Sequence, residues 1–169
     1  VGKTTTAVSL ACALARFHGK RVLIVDLDPQ GHVATALKST MPTAGGSLAA
    51  VLEDVGGSEV LDAAVPSGIE GLDATPLDPG LASTEDLLGT RIGKEFILRD
   101  KLKVTRTHYD VIVIDCPPNV GTLTVNALVA ADAVLVPADP SALGVAGVSG
   151  VLGTIDEVRA NFNPELELL

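Results

Sequence analysis

The chain has 169 residues, of which 47% are hydrophobic and 20% are charged, and this is enough material for one buried core of ordinary size. The net charge of −9 argues against a wide nucleic-acid footprint on this part of the protein, because phosphate binding needs clustered Lys and Arg. The widely separated Cys12 and Cys116 fit neither a disulfide framework nor a zinc site, and no apolar run is long enough to span a bilayer. We therefore expect a soluble protein in a reducing, cytoplasmic setting.

A helix is predicted over residues 4–17, where apolar side chains recur at helical spacing. Gly19 can adopt the left-handed conformation that ends such a helix. Residues 39–100 carry a weaker pattern, punctuated by Gly and Pro, in which only residues 47–54 and 83–88 predict short helices.

Three short apolar runs predict buried strands at residues 22–25, 111–114 and 133–136, and residues 164–169 resemble the start of a fourth. None of the three alternates apolar and polar residues as a half-exposed antiparallel strand does, and helical patterns lie between or after them. The sequence therefore predicts an α/β fold with a mostly parallel sheet and helices on both faces.

Acidic residues directly follow these predicted strands. In a parallel sheet the carboxyl ends of the strands meet at one edge, which is where ligands bind. We therefore expect four carboxylates to converge on one rim of the sheet, those of Asp26, Asp28, Asp115 and Asp139.

The opening segment resembles the end of a phosphate-binding loop, because Gly-Lys-Thr-Thr leads directly into the first helix. The candidate nucleotide-binding residues are Gly2, Lys3, Thr4 and Thr5. Lys3 would reach the β- and γ-phosphates, Thr4 would offer its hydroxyl to Mg²⁺, and Thr5 would touch a further phosphate. Taken alone, the motif is equally well explained by an ordinary helix capped by threonine.

The strand-terminal aspartates strengthen this interpretation. Asp115 ends a buried apolar strand, as a Walker-B carboxylate that supports Mg²⁺ does, although an Asp can also simply cap the loop after a strand. Asp26 and Asp28 lie just past another strand, where one can orient an attacking water and the other can join the outer shell of the metal. A solvated Asp-Pro turn is the alternative for this pair.

Three motifs in this order resemble the ParA/Soj/MinD ATPases: Gly-Lys-Thr-Thr-Thr from residue 2, Val-Asp-Leu-Asp-Pro-Gln-Gly from residue 25, and Tyr-Asp-Val-Ile-Val-Ile-Asp-Cys-Pro-Pro from residue 109. The Asp-Pro-Gln-Gly segment favours the ParA branch, and the segment from Gly121 to Leu128 resembles the second switch segment of that family. Asn119 departs from the pattern, since Ser is common there. The segment Val-Pro-Ala-Asp-Pro-Ser from residue 136 replaces a motif that often carries Gln and Glu.

The resemblance implies a P-loop NTPase-like fold that binds ATP and Mg²⁺, forms an ATP-dependent homodimer, and hydrolyses ATP slowly until a partner stimulates it. It implies that Asp28 and Lys3 are catalytic, with Asp28 positioning the water, and that Thr4, Asp115 and Asp26 serve the Mg²⁺. By the same analogy the partners are a ParB-like centromere-binding protein and non-specific DNA, the location is cytoplasmic and nucleoid-associated, and no membrane is expected.

The resemblance also predicts how much of the family's domain this chain contains. The chain begins at Val1 rather than Met, so we expect residues 1–169 to be a single partial domain without its N-terminal strand and its C-terminal part. The signature lysine of the family, which reaches across the dimer, is not in residues 1–169, and the resemblance alone implies that it precedes Val1 in the intact protein.

Other functions stay open at this point. One is an ATP-dependent biosynthetic ligase of the cobyrinic-acid amidase or dethiobiotin-synthetase kind, and another is a MinD-like positioning ATPase, which would need a C-terminal amphipathic helix. The three histidines, His18, His32 and His108, lack companions at metal-binding spacing, so we do not expect them to bind a metal.

Overall fold

The computed structural model describes residues 2–37, 46–138 and 142–169, with side chains in the last range described from Val148 onward. Its main sheet has four strands in the order β2-β3-β1-β4, and β1 runs parallel to both of its neighbours, while β2 is antiparallel to β3. A separate parallel pair joins β5 to β6. The strands are β1 (Val22–Asp26), β2 (Val65–Ile69), β3 (Leu72–Ala74), β4 (Val111–Asp115), β5 (Ala133–Val134) and β6 (Glu167–Leu168). The predicted α/β class with a mostly parallel sheet is confirmed.

Helices occupy most of the remaining chain. The predicted helix at residues 4–17 is confirmed as α1, and Gly19 ends it with a φ of 60°. Ser47 caps α3 by accepting the Ala50 N–H, so the short helix predicted at residues 47–54 is also confirmed. The helices are α1 (Lys3–His18), α2 (His32–Ala36), α3 (Leu48–Glu53), α4 (Leu81–Gly89), α5 (Ile97–Lys101), α6 (Thr105–His108), α7 (Thr122–Ala130) and α8 (Ala142–Asn161), with 3₁₀ turns at Val60–Ala63 and Lys94–Phe96.

Strand β1 lies at the centre of two apolar layers. Leu23 and Val25 point to the side formed by α3, α4, α5 and α7. Val22 and Ile24 point to the opposite side, where they pack against α1 and α2. All four side chains are fully buried, because alternate residues of a strand face opposite sides of a sheet that is covered on both. The prediction of helices on both faces is confirmed.

Strand β4 corrects the expectation of three buried strands. Its residues Val111 to Ile114 are only half-buried, because the edge of β4 away from β1 borders an open groove rather than another strand of the described chain. The groove has a volume of about 590 Å³ and lies between β4 and the β5 segment, with Leu10 and Leu135 among its apolar lining residues. Strand β5 pairs with β6 instead of β4, and it spans two residues instead of the predicted four.

The middle of the chain contains two strands that its pattern does not predict. Strand β2 carries Pro66 and Gly68 and shifts register between Pro66 and Ile69, while β3 has three residues. Such short, interrupted strands leave too little periodicity to be recognised. The strand predicted at the end of the chain is confirmed as β6, and Asp139 falls outside the described residues. Among the described helices, none combines the length and apolar character needed to cross a membrane.

Candidate functional site

The hydroxyl of Thr4 connects the first helix to the end of strand β4. Thr4 Oγ1 donates a hydrogen bond of 2.6 Å to Asp115 Oδ2, although the two residues are 111 positions apart. The contact follows from strand geometry, because Val111, Val113 and Asp115 all face the α1 side of the sheet. Asp115 is 2% exposed, so this buried carboxylate is satisfied by a partner on the helix.

The N-terminus of α1, where Thr4 lies, directs its backbone N–H groups toward the end of β4. Gly2 is the N-cap with a φ of 83°, a conformation that suits glycine, and no described side chain caps the helix or places an acid in its first turn. A 16-residue helix carries a partial positive charge at this end, and its first N–H groups have no intrahelical acceptors. With the half-buried Lys3 beside Asp115, this end of α1 can hold an anion.

Asp26 lies opposite Asp115 in the β1–β4 register and is equally buried. Its Oδ1 accepts the Asp28 N–H at 3.0 Å and its Oδ2 accepts the Val33 N–H at 3.3 Å. Its own N–H donates to Thr75 Oγ1 at 2.9 Å. Both carboxylate oxygens of Asp26 therefore hold backbone on either side of residues 29–32, and this fixes the loop that carries Asp28.

Asp28 forms the turn between β1 and α2. Its Oδ1 accepts the Gln30 N–H at 2.9 Å, and its carbonyl accepts the Gly31 N–H at 2.9 Å. Its Oδ2 lies 3.4 Å from His32 Nδ1. Gly31 has a φ of 63°, and Leu77 packs so closely against it that a Cβ would overlap the Leu77 side chain. A glycine is therefore required where the chain turns.

Burial dominates the electrostatics of these carboxylates. It raises the pKa of Asp26 to about 6, against the smaller opposing effect of the two backbone N–H donors. Burial also raises the pKa of Asp115, while the Thr4 hydrogen bond and the nearby Lys3 charge oppose the rise. Repulsion from Asp28 raises both pKa values further, and repulsion from Asp115 adds to the rise at Asp26, so the site favours an added cation.

The residues present fit Mg²⁺ held together with phosphate. Within the described part of the chain, no group of three His, Cys, Asp or Glu side chains could hold a metal by itself. Mg²⁺ in phosphate-transfer sites takes one or two protein oxygens and completes its six ligands with phosphate and water. Because Thr4 donates its hydroxyl hydrogen to Asp115, the lone pairs of Thr4 Oγ1 stay available to a cation.

The structure brings together most of the residues that the sequence predicts for the site. Lys3 and Thr4 lie beside Asp115 at the start of α1, and Asp26 and Asp28 lie at the end of the neighbouring strand β1. Thr5 is exposed, and it makes no described contact to the aspartates.

Sequence reasoning missed two contributors to the site. Thr75 was missed because β3, which precedes it, gives no clear pattern. His32 was considered only as a metal ligand, although its spacing of four residues from Asp28 could have indicated the pair.

Comparisons with known proteins show the family of the chain. A family model described as "AAA domain" matches residues 1–168. The chromosome partitioning protein ParA of Caulobacter vibrioides is 42% identical over 99% of this chain. The sporulation initiation inhibitor protein Soj of Bacillus subtilis is 38% identical over 98% of this chain. The chain belongs to the ParA/Soj family. It spans 62% of the Caulobacter ParA and 64% of the Bacillus Soj.

Solved structures resemble this ParA/Soj chain over 99% of its length. One is described as cobyrinic acid a,c-diamide synthase from Mycobacterium smegmatis with bound ATP analog and magnesium, with a TM-score of 0.87 and 40% identity, and the chain covers 67% of it. Another is a complex of a Cyanothece McdA variant with ATP, with a TM-score of 0.88 and 26% identity, and the chain covers 63% of it.

Proposed function

We propose that this chain is the nucleotide-binding part of a ParA-like ATPase, a Mg-ATP-dependent dimerising switch that acts in chromosome or plasmid partitioning. The observation that carries the proposal is the Thr4–Asp115 hydrogen bond at the uncapped N-terminus of α1, with Asp26 and Asp28 on the adjacent strand end. The name of the ParA relative supplies the partitioning role.

Phosphate binding follows from the N-terminus of α1. The N–H groups from Gly2 to Thr5, which lack intrahelical acceptors, would bind the anion, and the Lys3 ammonium would add a full positive charge for the β- and γ-phosphates. Thr4 would offer its lone pairs to Mg²⁺, and Asp115 holds the Thr4 hydroxyl through its hydrogen bond. When bound, Mg²⁺ neutralises the charge that develops on the phosphate oxygens.

Hydrolysis requires a group that orients the attacking water. We assign this role to Asp28, since its Oδ1 is held by the Gln30 N–H and its Oδ2, 3.4 Å from His32 Nδ1, keeps a lone pair that can accept from water. Asp26 acts through the backbone, because its two oxygens fix the loop that presents Asp28. Its contribution to the metal site is then indirect, through the negative charge beside Asp115.

The switch itself depends on contacts to the γ-phosphate. ATP favours the homodimer, the dimer binds DNA non-specifically, and a ParB-like centromere-binding protein triggers hydrolysis and release in the cytoplasm. The chain carries a net charge of −9, so any DNA contact must come from a local cluster of Lys and Arg rather than from overall charge.

Two substitutions in the intact natural protein test the proposal. Lys3→Ala should abolish ATP binding, because the phosphates lose their fixed cation, whereas Asp28→Ala should bind ATP and dimerise but hydrolyse at least about 100-fold more slowly. Nucleotide titration, light scattering and phosphate release measure the three properties. Normal hydrolysis by Asp28→Ala would remove the role assigned to that residue.

A biosynthetic ligase is the second candidate function, because the cobyrinic acid a,c-diamide synthase structures match at 38–40% identity. The two functions differ in which molecules stimulate ATP hydrolysis. A ligase consumes ATP in step with a carboxylate substrate and an amide donor, whereas a partition ATPase responds to DNA and a protein partner. Phosphate release measured with cobyrinic acid and glutamine, and separately with DNA and the partner, distinguishes them.

A further inference from the structure

His32 is placed against the carboxylate of Asp28 rather than pointing away from it. It is the first residue of α2, and its Nδ1 lies 3.4 Å from Asp28 Oδ2. The other oxygen, Oδ1, is already engaged by the Gln30 N–H. The ring therefore faces the one oxygen of Asp28 that backbone does not hold within the turn.

The backbone holds the two residues in this relation. Asp26 accepts the N–H groups of Asp28 and Val33, and the Asp28 carbonyl accepts the Gly31 N–H. The side chain of His32 is 60% exposed, while that of Asp28 is 10% exposed. His32 thus lies over Asp28 on the solvent side, and its position depends on the turn rather than on packing in the core.

The terminal torsion of an aspartate gives this placement a purpose. A carboxylate rotates broadly about that torsion unless both of its oxygens have partners, and the backbone of the turn holds only Oδ1 of Asp28. A hydrogen-bond donor beside Oδ2 limits that rotation.

We propose that His32 is a positioning residue for Asp28, an inference that rests on the proposed function, in which Asp28 orients the attacking water. In this proposal a hydrogen bond from Nδ1 to Oδ2, across the 3.4 Å that separates the two atoms, fixes the plane of the carboxylate. The second lone pair of Oδ2 then points in one direction, where the water is held.

The test uses three variants of the intact natural protein, assayed for turnover and for KM with Mg-ATP. His32→Ala and His32→Phe both remove the donor, and Phe keeps a ring of similar shape. His32→Asn keeps a donor close to the position of Nδ1. We expect turnover to fall about tenfold in the Ala and Phe variants with unchanged KM, and to return to within about twofold in the Asn variant. His18→Ala, at the exposed end of α1, is the matched control.

Each other outcome contradicts the inference. Unchanged or faster turnover in His32→Ala removes the role, equal losses in the Phe and Asn variants would make the donor irrelevant, and a rise in KM at constant turnover would assign His32 to binding. These results are read only against a wild-type protein that hydrolyses ATP and an Asp28→Ala variant that does not. If wild type fails to hydrolyse ATP, or if Asp28→Ala still hydrolyses it, the proposed function fails instead, independently of His32.

Discussion

Asp26 and Asp115 are direct partners in the register of two adjacent parallel strands, and each is 2% exposed. Two carboxylates so close to one another in a buried place repel when both are charged, and burial already disfavours either charge. The protein tolerates this arrangement through donors from backbone and from Thr4. A site that holds negative charge at the end of two strands is ready to receive a cation.

The stability of the nucleotide-free protein should therefore depend on pH through Asp26. Its folded pKa of about 6 is above the ordinary 3.8, so the folded state binds this proton more tightly than the unfolded state. The contribution is fully present below about pH 4 and is lost as the pH rises through 6, with a size on the order of 3 kcal/mol. Denaturant unfolding between pH 4 and 7.5 measures it. In Asp26→Asn, whose side chain cannot titrate, this part of the pH dependence of the free energy of unfolding should disappear. The same pH dependence in the variant and the wild type would contradict the assignment.

Thr4→Val should damage both stability and metal-dependent binding. Valine keeps the shape of threonine but leaves Asp115 Oδ2 without its donor, which costs about 1–3 kcal/mol in the free energy of unfolding. Tight binding of ATP should then no longer depend on Mg²⁺. Thr4→Ser restores the hydroxyl and is the control. Titration with ATP, with and without Mg²⁺, checks the result, and wild-type metal dependence in the Val variant would show that Thr4 does not serve the metal.

Gly31→Ala should destabilise the protein and slow turnover together. The backbone at Gly31 has a φ of 63°, which costs an alanine about 1–2 kcal/mol, and the new Cβ would overlap Leu77. Because Gly31 donates its N–H to the Asp28 carbonyl, a shift of the turn that relieves the overlap also moves Asp28. Gly57→Ala, in open space, is the matched control. Thermal unfolding and phosphate release are the measurements, and a Gly31→Ala protein with wild-type turnover would mean that the turn does not set the position of Asp28.

Thr75→Val should act on the site from a strand away. The hydroxyl oxygen of Thr75 accepts the Asp26 N–H, and both residues are buried. Its loss leaves a buried N–H without an acceptor, at a cost of about 1–3 kcal/mol, and lets the Asp26 loop shift. Thr75→Ser should behave as wild type. Hydrogen exchange at the Asp26 and Asp28 amides reports the shift, and unchanged protection in the Val variant counts against it.

The sequence predicts the parts of this molecule in which local pattern and tertiary structure agree. Strands β1 and β4 end at the predicted aspartates, and α1 begins one residue before its predicted start. Short apolar runs and apolar residues at helical spacing are strong local signals. The pairing of β5 with β6 instead of β4 depends on contacts between distant segments, which no local pattern encodes.

Side-chain partners show the same limit. The Thr4–Asp115 bond could be anticipated from a phosphate-loop motif. The hydrogen bond of Thr75 to Asp26 could not, because it depends on where β3 places Thr75. His32 was identifiable by spacing, but its orientation toward Asp28 depends on the left-handed turn at Gly31. Such contacts are products of the assembled fold.

The groove beside β4 has a consequence for handling the molecule. Along that side the strand presents the backbone donors and acceptors of Val111, Ile112, Val113 and Ile114 without a neighbouring strand in the described chain. A β-branched ribbon of this kind is a template onto which another extended chain can add. The protein should therefore tend to associate into fibrils through this edge of β4. Mild denaturant, or a short peptide that pairs with the edge, should keep it dispersed.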